Sequence, residues 1–119
     1  MAKLNRPAVP VTTVLDQPIE MRDGTILRAD VHRPAEGGPY RTVLVRNPYG
    51  EPLFRRVPVV PYLRAGLAVV LQHCRGRGSS DGEFTPWVDE GRDGVDTVAW
   101  IAAQPWSNGE VVAAGTSYL

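Results

Sequence analysis

Apolar and polar residues change period several times along this chain, and each change predicts an element. Residues 1–16 carry prolines and no clear period, and read as a lead-in. Ile19 to Arg22 and Thr25 to Val31 are extended stretches joined by Asp23-Gly24. Asp-Gly between two such stretches predicts a hairpin, because its turn needs positive φ. In the second strand Leu27, Ala29 and Val31 form the apolar face, and Ile26, Arg28 and Asp30 the other. Pro34 ends the strand, and Glu36-Gly37-Gly38-Pro39 is a loop.

Beyond the hairpin the period lengthens. Thr42 to Asn47 is a short, nearly continuous apolar run that stops at Pro48, and Leu67 to Gln72 is a second, introduced by Gly66. Such runs predict strands buried on both faces, as in a parallel sheet. Between them, residues 53–65 are helical in part, with Pro58 and Pro61 interrupting. Residues 74–87 form a Gly-rich loop. Val88 to Gln104 predicts a helix, with Val95, Val98, Ala99 and Ala102 on one face and Asp89, Glu90 and Asp93 near the positive end of its dipole. Gly91 and Gly94 each cost such a helix about 1 kcal/mol relative to Ala, which implies close packing against the sheet. Asn108-Gly109 reads as a turn, and Val111 to Ala114 as a third apolar strand. Strands alternating with helices predict an α/β fold with a mostly parallel sheet and right-handed crossovers.

Composition narrows the class. The chain has 119 residues, 12 of them Gly and 11 Pro, and is 43% hydrophobic and 22% charged. That is an ordinary globular balance, without the triplet period of collagen or the polarity of a disordered chain. Thirteen basic and thirteen acidic residues cancel, so no global charge draws the protein to nucleic acid or an anionic membrane. Residues 1–78 are nonetheless basic and 79–119 acidic, as expected of two halves packed into one fold. Cys74 is the only cysteine, so no intramolecular disulfide forms. No apolar stretch approaches a membrane span and no secretory signal opens the sequence. A cytoplasmic protein is the expectation, and oligomeric state is not readable.

Two places carry candidate chemistry. Gly115-Thr116-Ser117 directly after an apolar strand has the front of a nucleophile elbow, G-x-S-x-G. There a serine sits on a strained strand-to-helix turn, and a side chain two residues earlier would crowd it, which accounts for Gly115. The bland reading is a Gly-Thr-Ser loop closing a strand. Arg46-Asn47-Pro48-Tyr49 ends the first buried strand, where a tyrosine hydroxyl could serve an oxyanion hole. The bland reading of Tyr49 is a half-buried packing tyrosine.

Taken with these, the string Arg75-Gly76-Arg77-Gly78-Ser79-Ser80-Asp81-Gly82-Glu83-Phe84 resembles a stretch of the CocE/NonD hydrolases, cocaine-esterase-like relatives of the X-Pro dipeptidyl-peptidases of peptidase family S15. Asp96-Thr97, Trp100-Ile101 and Gln104-Pro105-Trp106-Ser107-Asn108-Gly109 are similar to a second stretch, and Gly115 to Leu119 to a third. Met21-Arg22-Asp23-Gly24 and Arg46-Asn47-Pro48-Tyr49 also fit, so the likeness runs in order from about residue 18 to 119. It implies an α/β-hydrolase fold, with residues 1–17 as lead-in and 18–119 as an incomplete domain. It implies Ser117 as acyl-accepting nucleophile, the Tyr118 backbone N–H and the Tyr49 hydroxyl in the oxyanion hole, and the Tyr49 strand beside the Ser117 strand. It implies an ester or amide acyl substrate, small or peptidic, and no cofactor, metal or nucleic acid.

The sequence departs from the family at His73, where an acidic residue is common, so an ion pair with an arginine is expected to be missing and loop rigidity reduced. The family's acid and base would follow residue 119, so the 119 residues alone are expected to be inactive. His32 and His73 are poor substitutes for the base, and His73-Cys74 is a poor metal pair. Two other readings compete. One is a non-catalytic fragment. The other is a phosphate- or RNA-binding module using the Arg75–Gly82 loop, although Gly76, Gly78 and Gly82 miss the G-x-G-x-x-G spacing by one residue.

Overall fold

The computed structural model describes residues 10–49, 54, 56–83 and 90–114. Five strands form one sheet: β1 (Val11–Glu20), β2 (Ile26–Pro34), β3 (Tyr40–Asn47), β4 (Ala68–His73) and β5 (Ser107–Ala113). Helix α1 (Val59–Arg64) connects β3 to β4, and α2 (Glu90–Ala102) precedes β5. The strand order is β1-β2-β4-β3-β5. β1 and β2 pair antiparallel, as do β2 and β4, whereas β3 runs parallel to both β4 and β5. The sheet is therefore mixed: β1 and β2 form the expected antiparallel hairpin, and β3, β4 and β5 the parallel part it joins.

The hairpin turns at Asp23-Gly24, with Gly24 at φ 85° and the Asp23 carboxylate accepting the Thr25 N–H. β1 begins at Val11, inside the stretch read as a lead-in. It is an edge strand, which tolerates Pro18 because no second partner needs that missing N–H. A bulge between Val14 and Gln17, with Asp16 at φ 52°, shifts the register and scrambles the alternation a strand would otherwise show. The β2 face reads as expected: Leu27, Ala29 and Val31 are buried.

β3 and β4 are enclosed on both sides. Val43, Val45, Val69 and Leu71 pack with Phe54 and Leu63 on the α1 face. Leu44 and Val70 join Ile19, Met21, Leu27, Ala29, Val31 and Ile101 on the α2 face. Burying each such aliphatic side chain contributes about 1.5–3 kcal/mol. The short α1 accepts Pro61 because that residue lies in the first turn, where a missing N–H breaks no helical bond. β5, expected as a third buried strand, is open on much of its surface, with Val112 48% exposed. Asn108-Gly109 is not a turn between elements. It lies inside β5, where the pairing slips between Tyr40–Ser107 and Thr42–Val111.

Helix α2 is present but rolled away from its expected orientation. Val95 is 62% and Val98 39% exposed, while Asp93, Thr97 and Ile101 are buried. A Cβ on Gly94 would meet only the Arg46 guanidinium, at 3.9 Å, and one on Gly91 nothing within 4 Å. The two glycines do not mark close helix–sheet packing. With Leu44, Arg46, Val95, Val98 and Ala113 they line an open groove of about 410 Å³.

Candidate active site

The carboxyl ends of β3 and β4 lie side by side, with Asn47 opposite His73. β5 flanks β3 on the other side and runs in the same direction, so its carboxyl end opens onto the same edge. Ala114, just after β5, donates its N–H to the Leu44 carbonyl at 3.0 Å. In open α/β sheets ligands bind outside this edge, where the chain reverses its order of crossing.

Pro48 and Tyr49 leave β3 here. The Asn47 side chain is fully buried, and its Oδ1 accepts the Tyr49 N–H at 2.6 Å. The Asn47 carbonyl accepts the Cys74 N–H at 3.1 Å, tying the β3 exit to the β4 exit. Tyr49 itself is 55% exposed. It is thus presented at the sheet edge rather than half-buried in packing. Gly115, Ser117 and Tyr118 lie outside the described residues.

The loop after β4 folds back on the sheet. Ser80 Oγ donates to the His73 carbonyl at 2.7 Å and accepts the Arg28 N–H at 2.7 Å. The Asp81 N–H reaches the Ile26 carbonyl at 2.8 Å. The His73 ring is buried, with its centroid 4.8 Å from that of Phe54. Gly78, at φ 52°, lies against the ring so closely that a Cβ would stand 2.3 Å from His73 Nδ1, so only glycine fits.

Arg75 organises what lies behind the edge. Its Nε and Nη2 donate to the two oxygens of Asp93 at 2.9 and 2.8 Å, a bidentate pair. Its Nη1 donates to Asp23 at 2.9 Å and to Thr25 Oγ1 at 2.7 Å. One buried guanidinium therefore joins the hairpin turn, the β4 loop and α2. The bonds from Arg75, then from the Thr25 N–H and hydroxyl, hold the Asp23 carboxyl well below the usual carboxylate range. The Asp93 and Asp23 partners raise Arg75 above its ordinary value against the opposing effect of burial. The loop expected to lose rigidity for want of an acidic residue at 73 is anchored by Asp93 and Asp23 instead. The same contacts turn Arg75 inward, so the Arg75–Gly82 loop does not offer it to a phosphate.

A polar layer continues beneath. Arg46 Nε donates to Gln72 Oε1 at 2.8 Å, and the Thr97 hydroxyl lies 3.0 Å from that oxygen and 2.8 Å from the Asp93 carbonyl. At the periphery Arg22 pairs with Asp96 at 2.8 Å, lowering the Asp96 carboxyl. His32 is distant from this edge. It pairs with Val69 toward the amino end of β4, and its imidazole is pushed down by burial. Sequence reasoning missed Asn47 and the inward role of Asp93, which reads as an ordinary acidic residue of a helix's first turn. Among the described residues no group of three or more His, Cys, Asp or Glu could hold a metal ion, and no helix is long and apolar enough to cross a membrane.

An open mixed sheet with helices on both faces and its loops converging at one carboxyl edge defines the α/β class of the hydrolase fold. The family model for X-Pro dipeptidyl-peptidase (S15 family) matches residues 23–119. Cocaine esterase of Rhodococcus sp. (strain MB1 Bresler) is 42% identical over 106 residues, which cover 85% of this chain and 18% of that protein. The crystal structure of a CocE/NonD family hydrolase from Staphylococcus aureus superposes with TM-score 0.79 at 24% identity, covering 98% of this chain and 27% of that one. An aminopeptidase from a marine sediment archaeon, Thaumarchaeota archaeon, superposes with TM-score 0.78 at 28% identity, over 92% and 22% of the respective chains. This chain belongs to the X-Pro dipeptidyl-peptidase (S15) family. It spans about a fifth of the cocaine esterase it matches.

Proposed function

We propose that these residues form the nucleophile-bearing part of a serine hydrolase that cleaves an ester or amide bond through an acyl-enzyme on Ser117. The observation that supports this best is the parallel pairing of β3 with β5. It sends Tyr49 and the segment leading to Ser117 out of neighbouring strands at one sheet edge. Ser117 Oγ attacks the substrate carbonyl carbon, and its proton passes to a general base. The negative charge that develops on the carbonyl oxygen is met by the Tyr49 hydroxyl and the Tyr118 backbone N–H. The leaving alcohol or amine takes the proton, and water then hydrolyses the acyl-serine. Each oxyanion donor is worth about 2.7–4 kcal/mol of transition-state stabilisation.

Neither histidine of these residues suits the base. His73 is enclosed by Phe54 and Gly78, and His32 lies toward the other end of β4. A serine without a base is a weak nucleophile, so residues 1–119 by themselves turn over no substrate. The substrate class is a small-molecule or peptide acyl compound, and the residues carrying the reaction require no cofactor. A fluorophosphonate probe tests the assignment on the full-length gene product. Labelling is expected to disappear in Ser117→Ala, and labelling that persists unchanged removes Ser117 as nucleophile.

A further inference from the structure

Tyr49 combines two properties that rarely coincide. Its side chain is 55% exposed, yet the backbone leading to it is held by Asn47. Asn47 ends a strand buried on both faces and is itself 0% exposed. It precedes a proline, which confines its backbone to extended conformations. Pro48 has its own φ set by the ring and offers no N–H. The next donor along the chain is the Tyr49 N–H, and Asn47 Oδ1 accepts it at 2.6 Å. This is an Asx turn closed around a proline. The Asn47 carbonyl is bound in turn by the Cys74 N–H, so the turn is braced by the β4 exit as well.

We infer that Asn47 is a positioning residue for the reaction: its buried carboxamide locks the backbone of Tyr49 so that the phenol is held in place before the oxyanion forms. The inference rests on the reading of Tyr49 as an oxyanion donor. A strand terminator would need none of this. Burying a whole carboxamide is costly unless its bonds are made, and a solvent-exposed tyrosine on an ordinary loop needs no fixed backbone. A preorganised donor does, because stabilisation by an oxyanion hole depends on donors that do not reorganise as the charge appears. Small misplacements at such sites cost up to about 100-fold in rate.

The test is a double-mutant cycle on the full-length gene product, with p-nitrophenyl acetate as substrate. Tyr49→Phe is expected to lower kcat with little change in KM, because the lost interaction exists only in the transition state. Asn47→Ala is expected to lower kcat about 10- to 100-fold, and Asn47→Ser, which keeps a weaker acceptor for the same N–H, to recover part of that loss. In the Tyr49→Phe background, Asn47→Ala is expected to add almost nothing, since both changes remove one function. Full additivity, or an Asn47→Ala effect confined to KM, overturns the inference. No effect of Tyr49→Phe alone overturns the parent reading instead, so the two failures are distinct. Hydrogen exchange at the Tyr49 amide requires no turnover and decides the matter if a variant folds poorly. The amide is expected to exchange slowly in the wild-type protein and faster in Asn47→Ser, and fast exchange in the wild type overturns the inference.

Discussion

The two faces of the central sheet are built on opposite terms. On the α1 face, Val43, Val45, Val69 and Leu71 meet Phe54 and Leu63 in an apolar cluster, and a six-residue helix with a proline in it suffices. On the α2 face, a thirteen-residue helix turns Asp93 and Thr97 inward and leaves Val95 and Val98 at the surface. The difference lies in Arg75. A guanidinium that is only 10% exposed must be matched by charge, and Asp93 on α2 and Asp23 in the hairpin turn supply it. An unmatched buried charge costs about 3–5 kcal/mol, whereas Val95 and Val98, 62% and 39% exposed, together leave only about one valine's burial ungained, about 1.5–3 kcal/mol. The demands of one buried cation thus set the roll of the helix.

The largest effect that would break this comparison is at Asp93. Asp93→Ala leaves Arg75 without its bidentate partner and is expected to cost about 3–5 kcal/mol. Leu71→Ala on the other face is expected to cost about 2–5 kcal/mol by leaving a cavity. Urea unfolding of both variants measures the costs, and a loss under 1 kcal/mol at Asp93 would show that the apolar contacts alone set the helix.

Acid separates the faces next. In the folded protein the Asp23 carboxyl is held below its ordinary value, so its contribution is complete above about pH 4 and is lost as pH falls further toward the folded value. Asp96, lowered by Arg22, acts in the same direction. Wild-type stability should therefore fall as pH drops below about 4, and Asp23→Asn should fall less steeply. Identical slopes would remove Asp23 from the ion-pair cluster. The smallest effect is expected at the exposed stripe. Val98→Ser should change stability by no more than about 0.5 kcal/mol in residues 1–119, and a larger cost would show that this stripe is covered.

The strands were legible because their signals are local. Asp23-Gly24 marks a turn that few other dipeptides make, and the runs at 42–47 and 67–72 are short, apolar and bounded by Gly or Pro. The carboxyl end of α2 was legible within about two residues, its expected start at Val88 lies outside the described residues, and its orientation was not legible. An apolar stripe at helical spacing predicts a buried face only when the alternative face carries nothing that must be buried. The first half of β1 was hidden by the bulge at Asp16, which puts Val14 and Leu15 out of step with the residues after it. Asn108-Gly109 misled because a bulge and a turn call for the same residues.

The site divides in the same way. Tyr49 could be singled out from its place after a strand of the right kind, and the motifs placed Ser117 after another. Asn47 read only as the residue before a proline. Its importance depends on the buried position that β4 and the Cys74 N–H give it, which are contacts between distant parts of the chain. By itself the sequence determined where strands and helices form, since turn chemistry and hydrophobic period act over a few residues. Only the tertiary structure decided which way α2 faces, how the β4 loop is anchored and what holds Tyr49. Each of those depends on satisfying a buried polar group, and its partners lie far away in sequence.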